Sequence, residues 1–258
     1  MVSFPTRYST SAHFANAAAW AREQLEAMGY VARLQDIVVD GNPGQNVVAD
    51  KEGHANGARG VVLVTAHLDS INTQGGPAAP APGADDNGSG SAGLIEMMRA
   101  FEDHRGEHDL RAVLFGGEEE GLLGSKQYLA NLPAAERERI RAVVNMDMIG
   151  TLNVPTHSVL IEGAPSSQKV IDRLSQAAMT YTRLAVETSL HPFASDHVPF
   201  IDAGIPAVLT IEGADGTNVH SGADTIDHID YDFALEILRM NVAFVARMVG
   251  RVPRRGIS

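Results

Sequence analysis

Short apolar runs alternate along this chain with stretches in which apolar residues recur every three or four positions. Val61 to Val64 is β-branched and uncharged, as a buried central strand reads, although such a run alone leaves a buried helix open. Arg111 to Phe115, Arg141 to Met146 and Pro206 to Glu212 also read as strands, and Val159 to Glu162 as a weaker one. Arg33 to Val39 and Gln45 to Ala49 read as strands on either side of a turn at GNPG, 41–44. Helical spacing fills the intervals. Ser11 to Met28 brings Phe14, Ala18, Leu25 and Met28 to one face, with Gly29 as a stop. Gly88 to His104 does the same with Leu94, Ile95, Met97, Met98 and Phe101, and a further helix runs through Tyr128 and Leu129. Pro165 to Tyr181 and Tyr231 to Val249 complete the set, with no internal repeat or low-complexity tail. Strands alternating with helices predict an α/β three-layer sandwich, a mixed but mainly parallel sheet with helices on both faces. With 258 residues, 44% of them hydrophobic, residues 1–258 are expected to form one catalytic-sized domain around one core.

Three of the apolar strands end in polar residues. Val61–Val64 leads to His67-Leu68-Asp69, Arg111–Phe115 to GGEEEG, and Arg141–Met146 to Asp147. In open α/β sheets ligands collect beyond the carboxyl ends of the strands, so these ends mark a candidate site. A single histidine after a strand is ordinarily structural, but Asp69, two residues on, can orient a ligating imidazole through its other nitrogen. Asp85 and Asp86 suit a helix cap, with Asp86 or Asn87 as the capping residue, or a bound cation; the residues leave both open. Glu118, Glu119 and Glu120 suit a solvated helix start. Flanked by Gly116, Gly117 and Gly121, they equally suit a site in which one glutamate holds a metal and its neighbour moves a proton. Asp147 beside a buried strand needs a compensating cation. His220 sits in a Gly/Asp/Asn-rich loop, where exposure is the ordinary outcome. His197, in SDH at 195–197 before an apolar stretch, stands apart from the surface histidines. The loop TQGGPAAPAPG at 73–83 falls between candidate ligands and reads as a surface loop beside the site.

Composition narrows the chemistry. Lys and Arg total 20 against 32 Asp and Glu, a formal net charge of -12, which argues against a nucleic-acid binder. There is no cysteine, so a metal would be held by His, Asp and Glu alone. No apolar run approaches the roughly 20 residues that span a bilayer, so no membrane partner is expected. The N-terminal MVSFPTRYSTS has no apolar core of a signal peptide, and a mature form of a secreted or periplasmic precursor is expected.

HLDS at 67–70, ADDNGSG at 84–90, GEEEGLLGS at 117–125, NMDM at 145–148, SDH at 195–197 and the loop histidine His220 together resemble the co-catalytic di-zinc aminopeptidases. These are metallopeptidases of the bacterial leucyl aminopeptidase and aminopeptidase Y type, and SFPTRYSTS at 3–11 resembles the start of their catalytic domain. The resemblance covers nearly the whole chain and implies two Zn2+ ions. It places His67 and Asp147 on one, Glu119 and His220 on the other, and Asp86 between them, with Asp85 outside. It makes Glu118 the general acid/base and Asp69 the orienting partner of His67. The implied substrate is a peptide with a free N-terminus, cut by water activated between zincs ~3.5–4 Å apart.

Two departures stand out. Some relatives carry an oxyanion-stabilising tyrosine where this chain has Val219, and some have a disulfide near SDH that this chain cannot form. Met148 and Val219, adjacent to ligands, and Phe193, before SDH, are expected to wall an apolar substrate pocket. No acid outside the metal shell is obviously placed to receive a basic side chain. A glutaminyl cyclase shares the fold with one zinc, and a non-catalytic binding domain of the same fold would have lost ligands; retention of all five positions favours the two-metal hydrolase. Residues 148–219 leave no room for a dimerisation insert, and a monomer is expected.

Overall fold

The computed structural model describes residues 1–103, 105–214 and 216–250. Its frame is one eight-stranded sheet in the order β1-β2-β4-β3-β5-β8-β6-β7. The strands are β1 (Val31–Val39), β2 (Asn42–Lys51), β3 (Val61–His67), β4 (Asp109–Phe115), β5 (Ile140–Met146), β6 (Ser158–Gly163), β7 (Ala185–Ser189) and β8 (Ala207–Glu212). The central four, β4, β3, β5 and β8, run parallel. β2 is antiparallel to β4, and β6 to β8. The sheet is therefore mixed, with a parallel centre.

Every residue of β3 is buried, because helices cover both sides of the sheet. Alternation then divides each central strand between two cores. Val62, Val64 and Ala66 join Ala112, Leu114 and Val144 in one apolar cluster. Val61 and Leu63 join Val113, Phe115 and Val143 in the other. Helices α1 (Ala12–Ala27), α2 (Gly88–Ala100), α5 (Gln168–Tyr181) and α7 (Tyr231–Val249) pack on the first side. On the second lie α3 (Leu123–Asn131) and α6 (His197–Asp202), where Phe115, Tyr128 and Phe200 meet with ring centroids 5.8–6.3 Å apart. The short α4 (Ala134–Arg139) leads into β5. Each buried Val or Leu in these layers contributes about 1.5–3 kcal/mol relative to exposure.

Helix starts follow local chemistry. Ser11 caps α1 by accepting from Phe14 N, Asn87 caps α2 through Gly90 N, and Asp230 caps α7 through Phe233 N. The turn expected at 41–44 instead falls on Asp40 and Gly41, whose φ angles of 49° and 79° make the left-handed pair of a tight hairpin turn. Val39 pairs with Asn42, so Asn42, Pro43 and Gly44 already belong to β2, beyond the reach of β4. α2 stops at Ala100 with Phe101 as its cap, and the expected end at His104 lies outside the described residues. The helix expected from Pro165 opens with a 3-10 turn, Pro165–Ser167. β7, α4 and α6 are further elements, five or six residues each, too short for periodicity to reveal. Among the described residues no helix is long and apolar enough to cross a membrane.

Candidate active site

The parallel centre brings the ends of β3, β4 and β5 to the same edge, and the polar residues noted in the sequence converge there. His67 is the last residue of β3, and Asp147 follows the last residue of β5. His67 Nε2 lies 3.2 Å from Asp147 Oδ1 and 3.1 Å from Asp86 Oδ1. The other oxygen of Asp86 lies 2.9 Å from His220 Nε2, which is also 3.1 Å from Glu119 Oε2. Acid and imidazole thus alternate as Asp147, His67, Asp86, His220, Glu119. Asp86 stands at the centre, one oxygen turned to each histidine.

Asp69 ties two of these groups together. Its backbone oxygen is 3.2 Å and its Oδ1 3.5 Å from His67 Nδ1, while Oδ2 accepts from Glu119 N at 3.1 Å. Asp85 faces elsewhere, its Oδ1 accepting from Gly150 N. The three consecutive glutamates take separate directions. Glu119 meets His220, and Glu120 accepts from Ser9 Oγ at 2.8 Å. Glu118 lines the cleft, and among the described residues its carboxylate takes part in no hydrogen bond or ion pair. Gly117, at φ 70°, makes this splay possible, since a Cβ there would be strained and would meet Val39 Cγ2 at 2.9 Å.

Supports that the sequence reading passed over hold the acids in place. Asp224 is buried and accepts the backbone N–H groups of both Asp85 and Asp86, at 2.9 and 3.0 Å. Thr65 donates to Asn145, Asn145 to Ser195 and Ser195 to Asp147 Oδ2, at 2.7, 2.9 and 2.7 Å. All three supporting side chains are buried, so the chain of bonds fixes Asp147 from beneath. A polar threonine and asparagine inside otherwise apolar strands were the available signals. His220 and Met148, both non-glycine residues at positive φ (55° and 50°), are held in a sparsely populated backbone region beside the site. Thr73 N donates to His220 O, so the 73–83 loop braces the loop bearing this histidine.

Electrostatics follow from burial of many acids. Burial pushes the Glu118 carboxyl well above its usual value, with Asp147 and Asp196 adding to the effect against the pull of His67. Glu119 is raised to about 8 by burial and by Asp86. Asp196, next to Ser195, is raised to about 7 by burial. Hydrogen bonds to Asp86 and Glu119 raise His220 to about 10. Burial of Asp86 favours its neutral form, but bonds from His220 and His67 overcome this and lower its value. A concentration of buried acid on this scale calls for cations.

The donor set fits a metal. Ligand atoms of His67, Asp86 and Glu119 lie within 4.8 Å of one another, as do those of His67, Glu118 and Asp147. Glu119 Oε1 is buried without a hydrogen-bond partner among the described residues. Imidazole and carboxylate donors without thiolate suit zinc among the common ions.

These groups floor a cleft of about 500 Å³. Met148 is part of its wall, and Phe193, 79% exposed, stands at its rim. Val219 is not among the lining residues; Leu160, Leu209 and Ile211 supply the apolar wall instead. They lie on one face of the sheet, because Leu160 pairs with Ile211 and Glu162 with Leu209 across β6 and β8. Glu162 also lines the cleft, so an acid outside the expected metal shell is placed where a basic side chain could reach it, contrary to the expectation that none is. Its Oε1 accepts from Phe193 N at 2.6 Å and lies 3.4 Å from His197 Nε2.

Comparison with known proteins places the chain in a family. Leupeptin-inactivating enzyme 1 of Streptomyces exfoliatus is 35% identical over 209 residues, covering 79% of this chain and 44% of that protein. A zinc aminopeptidase from Bacillus subtilis superposes with a TM-score of 0.70 at 29% identity, over 80% of this chain and 50% of that one. The chain therefore spans about half the length of these relatives. A glutaminyl cyclase from Porphyromonas gingivalis, 22% identical with a TM-score of 0.76 over 95% of this chain and 93% of its own, shares the fold alone. The family description that matches, over residues 46–245, is Peptidase family M28, and the chain belongs to that family.

Proposed function

We propose that this chain is a zinc aminopeptidase that removes apolar N-terminal residues from peptides and works as a monomer. One observation carries the two-metal reading: the Asp86 carboxylate divides its oxygens between His67 and His220, as a bridging ligand must. His67 and Asp147 would hold one ion, Glu119 and His220 the other, and Asp86 both. Two zinc ions there would lower the pKa of a shared water, polarise the scissile carbonyl and receive the free α-amine of the substrate.

The protein's own groups do the rest. Glu118, its carboxylate free of hydrogen bonds among the described residues and raised by burial, takes a proton from the attacking water and delivers it to the departing amine. Asp69 sets the orientation of His67 and, through Glu119 N, the position of the neighbouring ligand. Met148, Leu160, Leu209 and Ile211 receive the N-terminal side chain and keep water from it.

The test uses a leucyl chromogenic amide and its N-acetyl form, with and without chelator, beside metal analysis. Close to two zincs per chain, cleavage of the free amine only, and loss of activity on chelation are expected. One zinc per chain, with Asp147→Ala harmless to activity, would favour a cyclase-type site. Cleavage of the acetylated substrate would exclude an aminopeptidase.

A further inference from the structure

Arg7 has the largest fully buried side chain of the described residues, with 0% of its surface exposed. Burying a guanidinium is costly unless its donors are satisfied and its charge offset. Its hydrogen bonds go to backbone carbonyls. Nε donates to Leu68 O at 2.7 Å, Nη1 to Pro82 O, and Nη2 to Gly83 O at 2.9 Å. Leu68 directly follows His67, while Pro82 and Gly83 precede Asp86 by a few residues. One planar fork therefore bridges the two segments that carry the first histidine and the central aspartate.

The backbone around Arg7 repeats the connection. Arg7 N donates to Ser70 Oγ at 3.1 Å, Ser70 N donates to Arg7 O, and Ser70 Oγ donates to Ala81 O at 2.8 Å. Ala81 N in turn donates to Pro5 O. There is no slack in the arrangement: a Cβ on Gly83 would lie 2.9 Å from Arg7 Nη2 and 2.5 Å from Ser70 Cβ. The charge is placed as deliberately as the donors. Asp69, Asp86, Asp224 and Glu119 all act on Arg7 electrostatically, and it remains protonated at neutral pH although burial lowers it to about 10.

We propose that Arg7 is a positioning residue of the metal centre: its buried fork fixes the segment after His67 against the segment before Asp86, and so sets the spacing of the ligands that the ions need. The inference rests on the proposed metal site. A lysine would keep the charge but is a compact donor on a flexible stem, and cannot span three carbonyls on two segments as the guanidinium does. Arg7→Lys therefore separates the fork from the charge, and Arg7→Met removes both.

The experiment measures Zn2+ affinity by chelator competition, the visible spectrum of the Co2+-substituted protein, and kcat and KM on a leucyl amide. All three are read at low temperature beside the thermal midpoint of the chelator-treated chain. Arg7→Lys should weaken Zn2+ binding by about ten- to a hundred-fold, as loss of ligand support does. It should also alter the Co2+ spectrum and lower kcat more than it raises KM. Arg7→Met should do so to a greater degree. If neither variant folds, Ser70→Ala, which cuts the second strap between the same segments, should show the metal effect in weaker form. Wild-type Zn2+ affinity and Co2+ spectrum in Arg7→Lys, with only the thermal midpoint lowered, would overturn the proposal. A wild-type protein that bound no zinc would instead overturn the site on which it rests.

Discussion

Replacing Glu118 by glutamine tests the division of labour within the glutamate run, and the structure sets its size. Glutamine is nearly isosteric, and the Glu118 carboxylate has no hydrogen bond to lose among the described residues. Burial already disfavours its charge, so a neutral amide should leave folding intact. What disappears is the proton acceptor. General-base catalysis contributes ~10²–10⁴-fold, so kcat should fall by ~10²-fold or more, about 2.7 kcal/mol of barrier at the least. KM and zinc content should stay near the wild-type values. Glu119→Gln should behave differently, because Oε2 meets His220 at 3.1 Å and Oε1 has no hydrogen-bond partner among the described residues. A charge-assisted bond of this kind contributes ~1.5–3 kcal/mol, and its loss should appear first as weaker metal binding. Steady-state kinetics at saturating zinc and metal analysis after dialysis separate the two. If Glu118→Gln lost metal while Glu119→Gln kept it and lost turnover, the assignment of roles would be off by one residue.

Three other outcomes follow from the same site. Ser195→Ala removes the donor to Asp147 Oδ2 and should cost about ten- to a hundred-fold in metal affinity, read by chelator titration. In chelator-treated protein, Glu119 at about 8 and Asp196 at about 7 hold protons that the unfolded chain releases near pH 4. Stability should therefore fall as pH rises from about 4 to about 8, and added zinc should flatten that slope; a thermal midpoint rising over the interval would refute the sign. Leucyl amides should exceed glutamyl ones, which the acids lining the cleft repel; a kcat/KM panel decides, with each buried CH₂ contributing ~0.8 kcal/mol.

The fold was legible where one physical signal dominated. β3, β4 and β5 announced themselves because burial on both sides demands unbroken apolar runs. Tyr231–Val249 was placed to the residue, since Asp230 caps its start and Gly250 follows its end. Asp40-Gly41 was misread because GNPG contains more turn-forming residues than the pair that actually turns. Asparagine, proline and glycine tolerate a strand end that has no second neighbour, and only pairing shows that 42–44 have none on the β4 side. α6 was hidden for a different reason: its six residues begin at His197, before any period could repeat.

The site divides along the same line. The proposed site groups at strand ends are contiguous with apolar signals, so His67, the run Glu118 to Glu120 and Asp147 stand out in the chain, and the resemblance chooses among the glutamates. Groups that hold them do not stand out. Thr65, Asn145 and Ser195 act through bonds between residues 48 to 80 positions apart, from Asp147 to Ser195 and from Thr65 to Asn145. Asp224 reaches Asp85 and Asp86 across nearly 140 positions. Such partners carry no local pattern, because a buried polar group is explained only by the one atom it satisfies. Of the expected substrate wall, Met148 and Phe193 line the cleft, and Val219 does not for a related reason. Val219 adjoins His220 in sequence, but at a φ of 55° the backbone at His220 takes a left-handed turn, and neighbours along such a chain need not face the same space. Leu209 and Ile211 reach the cleft because sheet pairing sets them beside Glu162 and Leu160. On the proposed reading, the apolar wall of the cleft is thus set by strand register.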